Sequence, residues 1–252
     1  CDQFGGESSP ELIIELVKSG ALSEKRIDVS VARILRDKFT LGLFDDPFVD
    51  AEKAPELTGK AEYRALAKKA QARSTVLLKN ENLLPLKSGT KVYIEGITHP
   101  EAFESFGQIV DSPEEAEVVI KRIQTPYEPR DDNFLERFFH QGRLYYTPEE
   151  LEDILEVIRA KPSVVIANLE RPAILTEIDA ASTSLVAEFG TSDEVLAKVL
   201  FGEEKPEGKM PFELPSSWEA VKAQLEDVPY DSKDPLYKFG HGLTYQEQEI
   251  SL

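Results

Sequence analysis

The sequence predicts an α/β fold, a mostly parallel open sheet flanked by helices. In its second half, apolar runs of strand length alternate with segments of helical periodicity. The strand runs are apolar at nearly every position, which is typical of strands buried on both faces. Helix start and stop signals lie between them. The predicted strands are residues 91–97, 109–110, 117–123, 163–169 and 184–189.

Residues 1–45 predict a loop and two helices. The first helix spans residues 10–18 and stops at Gly20. The second follows Ser23, whose hydroxyl can accept the free N–H groups of a first helical turn, and it stops before Gly42. Its apolar stripe consists of Ile27, Val31, Ile34, Leu35 and Phe39. Two helices cannot enclose a core, so their apolar faces need a partner.

Residues 46–90 predict a connection between two domains. Residues 46–60 are rich in Pro, Asp and Glu, which is typical of an exposed linker. A helix over 61–74 leads into the apolar run 76–80, and Pro85 and Gly89 mark a turn. The predicted organisation is therefore a first segment 1–45, a linker with its lead-in helix 46–90, an α/β domain 91–217, and a tail 218–252 that packs on it.

Two further helices are predicted inside the α/β domain. Thr147 caps a helix that extends to Ala160 and has Pro148 in its first turn. Ser192 caps a second helix, which ends at Gly202. The tail is polar and interrupted by prolines, so it is expected to wrap over the surface of the domain.

Composition narrows the classes of function. The net charge of −18 disfavours nucleic acid, because a phosphate backbone selects clustered Lys and Arg. No apolar run approaches the ~20 residues of a membrane span, so no membrane partner is expected. The single cysteine, Cys1, excludes an intrachain disulfide and slightly favours a cytoplasmic over a secreted location.

Residues 125–133 form the strongest candidate for a functional loop. They follow the predicted strand that ends near Ile123, and the carboxyl ends of strands are where α/β sheets place functional loops. Pro126 and Pro129 stiffen the chain around Glu128, and a carboxylate on a rigid loop suits general acid–base catalysis. The residues alone leave a second interpretation open, a surface turn with solvated charges.

The aromatic segment 134–140 follows this loop. It is predicted either to wall a binding pocket or to anchor a long loop to the core. The three histidines, His99, His140 and His241, lack the spacing of metal ligands. There is no Gly-rich loop of the kind that cradles phosphate, which argues against a flavodoxin-like module, and no metal or cofactor is expected.

Four blocks of sequence resemble the family 3 glycoside hydrolases, the β-glucosidase group. Residues 20–45 resemble the helix pair that ends the family's barrel domain, and residues 74–86 resemble the entry to its second domain. The blocks VLFG at 199–202 with GKMPF at 208–212, and FGHGLTY at 239–245, resemble its later motifs. Their order along the chain matches the family's order.

The resemblance implies the C-terminal part of a retaining, exo-acting β-glycosidase. Its Asp nucleophile would lie upstream of Cys1 on a barrel domain of the same protein, and Glu128 would be the acid/base residue. The residues expected to bind an oligosaccharide or glycoside substrate are Tyr127, Arg130, Asp131, Asp2 and Gln3. For Asp2 and Gln3, a role in tying down their own loop is equally open.

A second hypothesis belongs to a different class. The chain would then be a structural or carbohydrate-binding α/β module that supports the barrel and has no catalytic carboxylate. The two hypotheses differ in whether Glu128 faces a cleft shared with the barrel or faces solvent.

Overall fold

The computed structural model describes residues 1–6, 8–130, 132 and 134–245, and the chain divides into two compact units. The first unit is Cys1–Lys60 and the second is Ala61–Leu252. Within the described residues, no helix is both long enough and apolar enough to cross a membrane. The predicted division into four segments stays a prediction.

The first unit contains the two predicted helices and one short addition. These are α1 (Pro10–Lys18), α2 (Glu24–Thr40) and α3 (Ala54–Leu57). Ser23 caps α2 as predicted, because its hydroxyl accepts a hydrogen bond of 3.3 Å from the Arg26 N–H. Gly42 follows α2 with φ of 69°, a conformation that glycine adopts without strain.

The apolar stripe of α2 is largely exposed. Val31, Leu35 and Phe39 are exposed, and Ser30 is the one buried residue of the helix. The expectation that these two helices do not enclose a core of their own is therefore confirmed.

The second unit is built on a six-stranded sheet. Its strands are β1 (Val76–Asn80), β2 (Lys91–Glu95), β3 (Gln108–Ile109), β4 (Val118–Gln124), β5 (Ser163–Asn168) and β6 (Ser184–Glu188). Its helices are α4 (Ala61–Ser74), α5 (Pro148–Arg159), α6 (Thr176–Ala181), α7 (Asp193–Leu200) and α8 (Trp218–Ala223). The strand order is β1-β6-β5-β4-β2-β3. Every neighbouring pair is parallel except β1 with β6.

Helices cover both faces of the sheet. Alternate strand residues point to opposite sides, so Val165 and Ala167 of β5 pack with α5 and α6, whereas Val164 and Ile166 pack with α7. Both faces are thus buried in apolar contacts, which explains why the strand runs are apolar at nearly every position. The predicted α/β sandwich with a mostly parallel sheet is confirmed.

Several local features differ from the sequence prediction. The Ser192 hydroxyl does not cap α7, because it lies 3.1 Å from Oε1 of Gln71 instead. The short helices α6 and α8 have no counterpart among the predicted elements. The apolar run 76–80, which is not among the predicted strands, forms β1. Tyr245, near the end of the described residues, is buried in the core on the α7 side of the sheet.

A buried ion network joins β4, β6 and α7. The Arg122 guanidinium donates to Glu188 at 2.7 Å and to Asp193 at 2.8 Å. The second Glu188 oxygen accepts from the Gly190 and Thr191 N–H groups, and the second Asp193 oxygen accepts from the His99 N–H. Glu188 is fully buried and Asp193 nearly so, so each carboxylate depends on these partners for its solvation.

Substitution of Arg122 by Met should therefore destabilise the second unit strongly. Removing the cation leaves two buried carboxylates without their counter-charge, which lowers the free energy of unfolding by about 3–5 kcal/mol. Arg73→Met is the matched control, because Arg73 pairs with Glu207 on the exposed surface and its loss should change stability by less than ~1 kcal/mol. Urea denaturation followed by circular dichroism measures both. An equal loss of stability in the two variants would contradict the role of Arg122 as the counter-charge of two buried carboxylates.

A partly exposed ion pair at the start of α5 makes a pH-dependent contribution to the stability of the second unit. Thr147 and Glu150 form a capping box, and the Arg143 guanidinium donates to both Glu150 oxygens at 2.7 and 2.9 Å. The Arg143 hydrogen bonds lower the pKa of Glu150 to about 2, helped by the Thr147 N–H. A carboxyl whose pKa is depressed by folding stabilises the protein above its unfolded pKa and loses that contribution as the pH falls through its folded pKa.

Glu150→Gln should lower the free energy of unfolding by about 1 kcal/mol at pH 7, because the Glu150 carboxylate is nearly half exposed and solvent weakens its interaction with Arg143. The difference between the two proteins should shrink as the pH falls below 5, toward the folded pKa of Glu150. Denaturation curves from pH 7 to pH 3 measure this. A difference that stays constant over that range would show that the charge of Glu150 contributes nothing.

Candidate active site

The loop between β4 and α5 is attached to the sheet at both of its ends. The Thr125 hydroxyl donates a hydrogen bond of 2.6 Å to the Asn168 carbonyl at the end of β5. At the other end, the Tyr146 hydroxyl donates to the Gln124 carbonyl at 2.7 Å. Burial raises the pKa of Tyr146, so this phenol stays protonated and remains a donor. The loop therefore starts and finishes at the carboxyl edge of the sheet.

Glu128 lies in the first part of this loop with its side chain exposed. Its backbone N–H donates to the Gln141 carbonyl at 2.8 Å, which ties it to the returning part of the same loop. The side chain lies against Gly142, since a Cβ atom added to Gly142 would be 2.6 Å from the Glu128 carboxyl carbon. Within the described part of the chain, the Glu128 carboxylate forms no hydrogen bond or ion pair, so it is available to a ligand.

Residues on either side of Glu128 hold the loop closed. The Tyr127 ring stacks on the His140 ring with centroids 3.9 Å apart and planes 16° apart. His140 Nδ1 is in contact with the carboxylate of Glu170, which follows β5. The next residue, Arg171, donates to the Gly142 carbonyl at 2.8 Å. Two neighbouring strand-end loops thus brace each other.

Positive charge is close to Glu128. Arg130 donates to Asp132 at 2.6 Å and lies 3.2 Å from Glu136. The pKa of Arg130 is raised, chiefly by the hydrogen bond to Asp132, then by the charges of Asp132, Glu136 and Glu128. The pKa of Arg143 is also raised, chiefly by its hydrogen bonds to Glu150, and the charge of Glu128 raises it further. Two guanidinium groups therefore lie within electrostatic range of the Glu128 carboxylate.

The aromatic segment that follows is exposed. Phe134, Phe138 and Phe139 each expose about two thirds of their surface, and the rings of Phe134 and Phe138 pack edge to face at 5.4 Å. These phenylalanine rings therefore do not anchor the loop to the core, which was one of the two expectations for the segment. The structure leaves its rings available as the wall of a pocket.

The predicted site residues fall into three groups. Tyr127, Glu128 and Arg130 lie together on the β4–α5 loop. Asp131 lies outside the described residues. Asp2 and Gln3 belong to the first compact unit, where the Asp2 carboxylate accepts from Ser30 at 2.7 Å and from Arg33 at 3.0 Å. These bonds lower the pKa of Asp2 and tie its loop to α2.

Sequence reasoning missed the residues that brace the loop, which are Gly142, Glu170 and Arg171. A signal was available for the last two, because they follow β5 just as the candidate loop follows β4, and parallel neighbours end at the same edge. In the described part of the chain, no group of three His, Cys, Asp or Glu side chains is arranged to hold a metal ion.

Comparison with known proteins identifies the family of this chain. Residues 103–245 match the model of the "Glycosyl hydrolase family 3 C-terminal domain". The chain is 48% identical over 250 residues to "Probable beta-glucosidase C" of Aspergillus oryzae, covering 97% of this chain and 39% of that protein. It is 43% identical to the "Periplasmic beta-glucosidase/beta-xylosidase" of Dickeya chrysanthemi, covering 97% and 38%.

Solved structures show the same fold. The exo-1,3/1,4-beta-glucanase from a Pseudoalteromonas species superposes with a TM-score of 0.67 at 25% identity, covering 93% of this chain and 35% of that one. The beta-glucosidase from Listeria innocua in complex with isofagomine superposes with a TM-score of 0.65 at 22% identity, covering 92% and 41%. This chain spans about two fifths of the length of the relatives it matches. It belongs to family 3 of the glycoside hydrolases, whose C-terminal domain it contains.

Proposed function

We propose that this chain supplies the general acid/base residue, Glu128, of a retaining β-glycosidase of the β-glucosidase type. The Asp nucleophile of that enzyme lies on an upstream barrel domain. The observation that carries the proposal is the position of Glu128, whose carboxylate has no partner among the described residues and lies on a braced loop at the carboxyl edge of the sheet. The relatives named as β-glucosidases support the reaction class.

The proposed reaction has two steps. In the first, the Asp attacks the anomeric carbon while the Glu128 carboxyl donates its proton to the glycosidic oxygen, and the aglycone leaves as an alcohol. In the second, the Glu128 carboxylate takes a proton from water as that water attacks the same carbon and releases the Asp. This requires the two carboxyl groups to lie about 5–5.5 Å apart across the bond that breaks.

The neighbours of Glu128 suit the binding of a neutral sugar. Arg130 can donate hydrogen bonds to sugar hydroxyl groups, and the exposed rings of Phe134 and Phe138 offer apolar faces for a pyranose. Tyr127, Arg130 and Asp131 remain the proposed binding residues on this loop. Asp2 and Gln3 remain proposed binding residues from the first unit, although the contacts of Asp2 with Ser30 and Arg33 support its other role, that of tying down its loop.

The 252-residue chain alone should be catalytically inactive, because it provides one of the two carboxyl groups that the reaction needs. Hydrolysis of 4-nitrophenyl β-glucoside is measured for this chain and for the same chain joined to its upstream barrel domain. We expect release of nitrophenol only from the joined protein. Comparable rates from both would overturn the proposal that the nucleophile lies outside this chain.

In the complete protein, Glu128→Gln should discriminate between substrates by their leaving groups. For cellobiose, whose leaving group needs protonation, kcat/KM should fall about 10²–10⁴-fold. For 2,4-dinitrophenyl β-glucoside, kcat/KM should change little, whereas kcat falls because the glycosyl enzyme has lost its base. Azide, which attacks without a base, should restore turnover and give the β-glycosyl azide.

Glu149→Gln provides the matched control. Glu149 is an exposed glutamate in the first turn of α5, so this variant makes the same chemical change outside the loop. It should leave both substrates unaffected. If Glu128→Gln hydrolyses cellobiose as well as the wild type does, Glu128 is not the acid, and the non-catalytic module becomes the better account.

A further inference from the structure

We infer that Gly142 is a positioning residue for Glu128, an inference that rests on the proposed function. Gly142 belongs to a closure of the β4–α5 loop that we call the neck, formed by residues 127–128 on the outgoing side and 140–142 on the returning side. The neck fixes the direction of the Glu128 side chain, and Gly142 is the residue on which that side chain lies.

The two sides of the neck are joined at adjacent positions. The Tyr127 and His140 rings stack, and one residue further along the Glu128 N–H donates to the Gln141 carbonyl at 2.8 Å. These contacts fix the backbone of Glu128. They do not fix its side chain, whose position depends on the residue against which it packs.

Gly142 leaves room for the Glu128 side chain. A Cβ atom on Gly142 would be 2.6 Å from the Glu128 carboxyl carbon and 2.7 Å from its Cβ atom. Separations under 3.0 Å are essentially never seen for real Cβ atoms, so any other residue at 142 would displace Glu128. Gly142 also has φ of 76°, a conformation that other residues adopt with strain.

The neck is held from the neighbouring strand. Arg171 donates to the Gly142 carbonyl at 2.8 Å, and Glu170 contacts His140. Both follow β5, which pairs with β4 along its full length in the sheet. Because the sheet is the rigid part of the unit, Gly142 is fixed relative to the strand from which the Glu128 loop departs.

Gly142→Ala in the complete protein should therefore misplace the acid without removing it. A displacement of about 1 Å can reduce a rate by about 10²-fold, so kcat/KM for cellobiose should fall about 10–100-fold. For 2,4-dinitrophenyl β-glucoside, kcat/KM should change less than about threefold, because that leaving group departs without a proton.

Gly89→Ala separates this effect from backbone strain. Gly89 has φ of 82°, close to that of Gly142, but a Cβ atom there would meet nothing within 4 Å. The Gly89→Ala variant should lose about as much stability as Gly142→Ala and keep its activity on both substrates. Melting temperatures of the two variants confirm that the comparison is made between folded proteins.

The outcomes distinguish this inference from the proposed function. Suppose that Glu128→Gln shows the leaving-group selectivity. If Gly142→Ala then lowers kcat/KM equally for both substrates, or lowers it for neither, Gly142 does not position the acid. If Glu128→Gln shows no selectivity, the proposed function itself fails.

Should Gly142→Ala not fold, Arg171→Met decides the question, because it frees the Gly142 carbonyl without adding a Cβ atom. It should reduce kcat/KM for cellobiose more than for the activated substrate, and equal effects overturn the inference.

Discussion

The guanidinium group of Arg122 fixes the edge of the sheet from which the candidate site is built. It binds two buried carboxylates, Glu188 at the end of β6 and Asp193 at the start of α7. Neither carboxylate would be tolerated in that position without a counter-charge. The two carboxylates also accept hydrogen bonds from the N–H groups of Gly190, Thr191 and His99. These contacts fix the carboxyl ends of β2, β4 and β6 relative to one another. The carboxyl end of β4 is therefore rigid before its loop begins.

Each part of the β4–α5 loop is held by a part that lies nearer the sheet. The strands carry the loop ends, the β5 exit braces the returning part of the loop, and that part in turn supports Glu128. Beyond the neck, the aromatic segment is exposed. A proton donor must be fixed relative to the bond that it protonates, whereas the wall of a sugar pocket can adapt to its ligand. The neck thus holds the part of the loop that carries Glu128, where the proposed chemistry needs a fixed position.

Most of the fold could be predicted from the sequence, because buried parallel strands and capped helices leave local signals. Thr147 and Pro148 predict the start of α5, and the apolar runs predict β2, β4, β5 and β6. Contacts made across the fold could not be predicted. The hydroxyl of Ser192 turns to Gln71 instead of capping α7, and β1 pairs antiparallel to β6 after a long separation in sequence. In the same way, the prolines draw attention to Glu128, but the contribution of Gly142 becomes visible only once the loop folds back.

The most direct test of Glu128 as the acid is a crystal structure of the complete protein with an unreactive thioglycoside analogue of cellobiose. The measured quantity is the distance from the Glu128 carboxyl group to the sulfur that replaces the glycosidic oxygen. We expect a separation of about 3–3.5 Å, with Glu128 still lying on Gly142. A different acidic side chain at that atom, with Glu128 directed into solvent, would contradict the assignment of Glu128 as the acid.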